Sequence, residues 1–162
     1  VARLDDYNYL LGLAVDSGDP KTVVVSASQG AYQAHSREDP KSLVCVRTSS
    51  TDDANNNSDK EWKVVKALPE PSGTIISILA ANPKVAGEFY AINNRGIFCS
   101  TDLGSSWNML DGLKWPKGYL SQHPFALLLK VICNTLKCCI LNAKKCVDII
   151  FSFKVNGRFI VE

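Results

Sequence analysis

The sequence predicts an all-β fold of about two four-stranded antiparallel sheets in tandem, followed by a tail of different character. Three observations carry this prediction. Short β-branched runs, such as Thr22-Val-Val-Val-Ser26 and Thr74-Ile-Ile-Ser-Ile78, are bounded by Pro, Gly and Asn. Such runs suit a pleated surface and are too short for helices. The order of residue classes then recurs once along the chain. Finally, Ser100-Thr-Asp-Leu-Gly-Ser-Ser-Trp107 has the composition of a tight turn between strands.

The first unit runs through Tyr9–Val15, Asp19-Pro20-Lys21, Thr22–Ser28 and Gly30-Ala31-Tyr32. The second runs through Thr74–Ala80, Asn82-Pro83-Lys84, Glu88–Ile92 and Gly96-Ile97-Phe98. The residue before a proline is pushed out of the helical region, so both X-Pro pairs start turns. Gly30 and Gly96 are expected to close the next turn, where positive φ is often needed. Each unit reaches a tryptophan, Trp62 or Trp107, that leads a fourth strand. Four-stranded sheets repeated around an axis are the blades of a β-propeller.

The first unit is the longer, with 42 residues from Pro20 to Trp62 against 24 from Pro83 to Trp107. The excess includes the polar stretch Ser49–Ser58, which is expected to be a mobile loop. The pattern dissolves after residue 126. Apolar residues at 125, 128, 129, 132, 136, 139 and 140 fit a helical stripe, and a compact β reading fits them equally. Further on, Asn156-Gly157 between apolar runs favours a two-residue hairpin. The expected organisation is a partial propeller over 1–126, with blades at about 8–68 and 73–112 and the start of a third at 113–126. Residues 127–162 form an atypical cysteine-rich helix/hairpin tail.

A chain of 162 residues holds one domain with a real core. A net charge of +2 argues against a nucleic-acid partner. The most apolar stretch, Phe125–Leu141, is broken by Lys130 and Lys137, so no membrane span is expected. Residues 1–9 have no apolar run, and the chain starts at Val1, as a processed chain or a piece of a longer one would. Cys45 and Cys99 sit alone in apolar stretches and read as small buried hydrophobes. Cys133, Cys138, Cys139 and Cys146 crowd into one segment, unlike a secreted disulfide framework, which favours a reducing compartment such as cytoplasm or plastid.

The most specific motif is the turn. Asp102 is placed to accept N–H groups of its own loop, as short carboxylates do. Gly104 supplies a backbone shape that a side chain resists. Trp107 buries a large surface at the head of the next strand, and Ser100 and Ser106 offer hydroxyls to the turn. Ser100, Asp102, Gly104, Ser106 and Trp107 match every fixed place of the pattern Ser/Thr-x-Asp-x-Gly-x-Ser/Thr-Trp. The chain resembles the BNR/Asp-box repeat family, which includes sialidases, sortilin-type receptors and photosystem II assembly-factor propellers. The resemblance covers about residues 8–125. In the first unit the box is degenerate, with Asp59 three residues before Trp62 and no glycine. The resemblance implies that the Asp102 turn is a structural corner on a blade rim, away from any substrate face.

No catalytic constellation accompanies it. A sialidase needs an arginine cluster, a tyrosine nucleophile with its glutamate, and an acid/base aspartate. Arg3, Arg37, Arg47, Arg95 and Arg158 are scattered. Glu88 and Tyr90 share a strand face by alternation and are not expected to form a dyad. His35 reads as a surface residue and His123, before Pro124, as loop. The tail cysteines lack the Cys-x2-Cys knuckles of structural zinc, so no metal or cofactor is expected. The function expected is a non-catalytic scaffold for a protein partner, with a glycan left open. The alternatives are a fragment of a sialidase-like glycoside hydrolase and a truncated product without an independent role.

Overall fold

A computed structural model of the chain describes residues 6–48, 62–65, 68, 70–110, 115–131, 147–155 and 158–161. It is mostly β with very little helix. The first sheet is antiparallel, with β1 (Tyr9–Val15), β2 (Val23–Ser28), β3 (Ser42–Arg47) and β4 (Lys63–Val64) side by side in chain order. The second repeats that plan with β5 (Ile78–Ala81), β6 (Phe89–Asn93), β7 (Gly96–Ser100) and β8 (Asn108–Met109). Trp62 stands just before β4 and Trp107 just before β8.

The turn after the first strand is closed identically in both sheets. Asp16 N–H donates to the Thr22 carbonyl at 3.0 Å, and Asn82 N–H donates to the Glu88 carbonyl at 2.9 Å. Asp16 is therefore the counterpart of Asn82. The likeness between Asp19-Pro20-Lys21 and Asn82-Pro83-Lys84 is out of step with the strands, because each proline sits at a different place in its turn.

The turn after β2 also differs from expectation. Gly30 has extended backbone (φ −173°) and opens a short helix, α1 (Ala31–His35). The helical segment Ala-Tyr-Gln-Ala-His contains no β-branched residue and two alanines, the best helix former. Gly96, at φ +159°, borders on extended backbone. The left-handed pair lies instead at Leu103 (φ 61°) and Gly104 (φ 82°).

A third sheet follows, in the order β11 (Arg158–Val161), β10 (Val147–Val155), β9 (Pro124–Val131). Residues 124–131 are thus strand, not the start of a helical stripe. Periodicity could not decide this, because the decision lies in pairing: Leu127, Leu128 and Leu129 stand opposite Phe151, Ile150 and Ile149. Strand β9 runs continuously through residue 127. Val155 pairs with Arg158 on either side of Asn156-Gly157. That dipeptide, the Ser49–Ser58 loop, Asp59 and the four tail cysteines lie outside the described residues.

Alternation sends the two faces of each sheet to different neighbours. Ala14, Val24, Val44, Val46 and Val65 of the first sheet pack on Leu79, Phe89, Ala91, Phe98 and Trp107 of the second. The other face of the second sheet carries Ile92 and Ile97, which meet Tyr119, Trp115 and Leu127 of β9. The first strands run next to one another, β1 against β5 and β5 against β9. Gly12 permits the first approach: a Cβ there would lie 2.8 Å from the Ser77 carbonyl and 2.7 Å from Ser26 Oγ. Among the described residues no helix is long and apolar enough to cross a membrane.

Candidate functional site

Three groups of chemistry-bearing residues stand out, and the Asp102 turn is the first. It links β7 to β8. Asp102 Oδ1 accepts the Ser106 N–H at 2.8 Å and the Ser100 hydroxyl at 2.9 Å, while Oδ2 accepts the Ser106 hydroxyl at 2.6 Å. Ser100 Oγ accepts the Gly104 N–H at 3.0 Å, and Trp107 Nε1 donates to the Gly104 carbonyl at 2.9 Å. All five motif residues therefore belong to one closed network. Burial acts to raise the Asp102 pKa, but the hydrogen bonds from Ser106 and Ser100 outweigh it and hold the carboxyl below its ordinary value. Both carboxylate oxygens are engaged within the turn.

The same corner touches the preceding sheet. A Cβ at Gly104 would lie 3.0 Å from Val24 Cγ2 and 3.2 Å from Val46 Cγ2. Leu103 N–H donates to the Gly87 carbonyl at 3.0 Å. Gly87 N–H in turn donates to Asp16 Oδ1, in the first sheet, at 2.5 Å. Asp16 is buried, and its Oδ2 accepts Gly18 N–H at 2.9 Å and Asp19 N–H at 2.7 Å. One carboxylate thus shapes its own turn and ties it to the next sheet. Sequence reading passed Asp16 over; the signal was an aspartate two residues before a glycine at a strand end.

The second group lines a cavity of about 370 Å³ across β6, β7 and β8 of the second sheet. Glu88, Tyr90, Cys99, Thr101, Asn108, Met109 and Leu110 line it. The Tyr90 hydroxyl donates to Glu88 Oε1 at 2.7 Å, and Asn82 Nδ2 donates to the same oxygen at 2.6 Å. Glu88 and Tyr90 are therefore a hydrogen-bonded pair, contrary to the sequence expectation. Two residues apart on one face, they are drawn together because the buried carboxylate takes the nearest donors. The Tyr90 phenol is held far above its usual range, first by burial and then by the bond to Glu88. Cys99 is half-exposed here rather than buried; Cys45 is fully buried, and burial pushes its thiol up to about 11.

Among the described residues no arginine lines that cavity. Arg47 lies over the Trp62 ring at 5.1 Å, and Arg95 donates to the carbonyls of Ser72 and Gly73 at 3.0 and 3.3 Å. Arg3 is outside the described residues. Among the described residues no three His, Cys, Asp or Glu side chains are placed to hold a metal ion.

The third group is the histidines. His35 and His123, read separately in the sequence, meet with ring centroids 4.7 Å apart and ring nitrogens in hydrogen-bond contact. Local sequence held no signal for this contact, because it depends on where the third sheet lies.

No family model matches the chain, and no curated protein or solved structure matches it significantly. The functional reading therefore rests on the residues themselves.

Proposed function

We propose that this chain is part of an Asp-box β-propeller that acts as a non-catalytic scaffold for protein contact. The observation that supports it best is the one-way stacking of the sheets. The face of the first sheet carrying Val24 meets the face of the second carrying Phe89. By the matching turns, Val23 is the counterpart of Phe89, so the two faces in contact are different ones. Such head-to-tail contact propagates around an axis rather than closing as a pair. The outer face of the first sheet is the counterpart of one that is covered in the second. On it Trp62 covers Val23, Val25 and Cys45, while Leu13 and Val15 of β1 stay 62% and 40% exposed. A bare apolar strip of this kind fits a further sheet or a protein partner.

A glycosidase fragment is the second reading, favoured by the Glu88–Tyr90 pair in a cavity. Against it stand a phenol held in its neutral form and the lack, among the described lining residues, of a cation to hold a substrate carboxylate. Incubation with a fluorogenic sialoside separates the two. The scaffold reading expects no turnover. Turnover that disappears in Tyr90→Phe overturns it.

A further inference from the structure

Tyr9, His35 and His123 come from three elements and form one hydrogen-bonded chain. Tyr9 opens β1, His35 closes α1, and His123 leads into β9. The Tyr9 hydroxyl lies 2.9 Å from His35 Nε2, and His35 Nδ1 lies 2.6 Å from His123 Nε2, across 88 positions of sequence. His123 Nδ1 lies 2.5 Å from the Pro124 carbonyl oxygen. The Tyr9 ring meets His35 edge-on at 5.6 Å.

The carbonyl fixes the protons along this chain. It only accepts, so His123 Nδ1 carries the hydrogen, and neutral His123 offers a lone pair at Nε2. That lone pair requires N–H at His35 Nδ1, which leaves neutral His35 Nε2 to accept the Tyr9 hydroxyl. All three donors then point the same way.

The two ends respond differently to acid. A proton added at His35 Nε2 turns the Tyr9 oxygen from donor to acceptor and keeps the His35–His123 bond. A proton added at His123 Nε2 faces the His35 N–H and removes the lone pair that accepts it. Burial, joined by the nearby His35, holds the His123 pKa below its ordinary value against the opposing pull of the Pro124 carbonyl. The stability that depends on neutral His123 is therefore whole above the ordinary imidazole pKa. It is lost as pH falls from there through the lower folded value.

We propose that Tyr9, His35 and His123 form a proton-operated latch, which clasps the β9 sheet to the α1 end of the first sheet and releases it on acidification. Among the described residues, Tyr9 from β1 faces the pair, and Arg37 lies two residues beyond His35 in the loop after α1. In the loop after α1, Glu38 accepts the Tyr32 hydroxyl at 3.4 Å and Asp39 pairs with Lys41 at 3.2 Å. The 3-10 turn before His123, Lys117–Ser121, begins with its one charged residue, and β9 carries Lys130 toward its far end.

The test is amide protection over residues 124–131 of the full chain, at about pH 7.5 and about pH 5, on either side of the imidazole range. Protection factors remove the intrinsic pH dependence of exchange, and β6 serves as the internal reference. Protection of β9 is expected to fall by on the order of tenfold relative to β6, as local opening of that sheet becomes easier. In His123→Gln, which keeps a donor and an acceptor but gains no proton, the fall is expected to vanish. An equal fall in both proteins overturns the latch. Should the variant not fold, the imidazole nitrogen shifts of the wild type decide: His123 protonated at Nδ1 near neutrality supports the latch, and at Nε2 overturns it.

Discussion

At the scale of single residues, two aspartates do comparable work in different surroundings. Asp102 is solvent-exposed and accepts three hydrogen bonds within its own turn. Replacing it with alanine is expected to cost about 1 kcal/mol, the usual worth of a local side-chain cap. Asp102→Asn keeps one oxygen for the Ser106 N–H and should cost less. The Asp102 carboxyl titrates below its ordinary value when folded, so its contribution is present above that value and is lost as pH falls through the folded one. The gap between wild type and Asp102→Ala in chemical unfolding should therefore narrow in strong acid. Asp16 is buried and accepts from Gly87 in the neighbouring sheet. Asp16→Ala leaves that N–H without its acceptor and should cost about 1–3 kcal/mol, more than the exposed corner does. Gly104→Ala meets both a left-handed backbone and the methyls of Val24 and Val46. The strain and the overpacking together should cost about 2–4 kcal/mol, read as a lower midpoint in urea.

At the scale of elements, strands were easier to read than the segments between them. The β-branched runs at 22–26 and 74–78 point to strands because side-chain shape is local information. Strands β2 and β5 are there, although β5 starts at Ile78 and leaves Thr74–Ser77 as the approach to it. That approach is tied down elsewhere: Ile75 N–H donates to Asn94 Oδ1, and Ile76 N–H donates to the Ala34 carbonyl. Asn94 also donates to the Gly73 and Leu120 carbonyls, holding the path toward β9. No sequence pattern announces such a hub, because its partners are remote. The same reason hid α1, the strand state of 124–131 and the histidine contact. The Asp102 turn was legible because its partners lie within a few residues of one another. Trp107 is the element-scale anchor, 3% exposed in the core between the first two sheets. Trp107→Ala should cost about 3–5 kcal/mol, enough to unseat β8 and the corner together.

At the scale of the whole molecule, the order of sheets carries the functional reading. The first and second sheets each offer one face to the sheet that follows in the chain, and the first sheet keeps a bare strip at Leu13 and Val15. If that strip is a contact surface, a charge on it should suppress association without disturbing the fold. Leu13→Glu is expected to sediment as a monomer and keep the wild-type circular dichroism, while the wild type associates. All of this depends on the corner of the second sheet sitting in the face of the first. Nuclear Overhauser contacts between the Gly104 α-protons and the methyls of Val24 and Val46 test it most directly. The account predicts strong cross-peaks from both valines to Gly104. Their absence, with the valine methyls contacting some other segment, would contradict the head-to-tail stacking and the propeller reading with it.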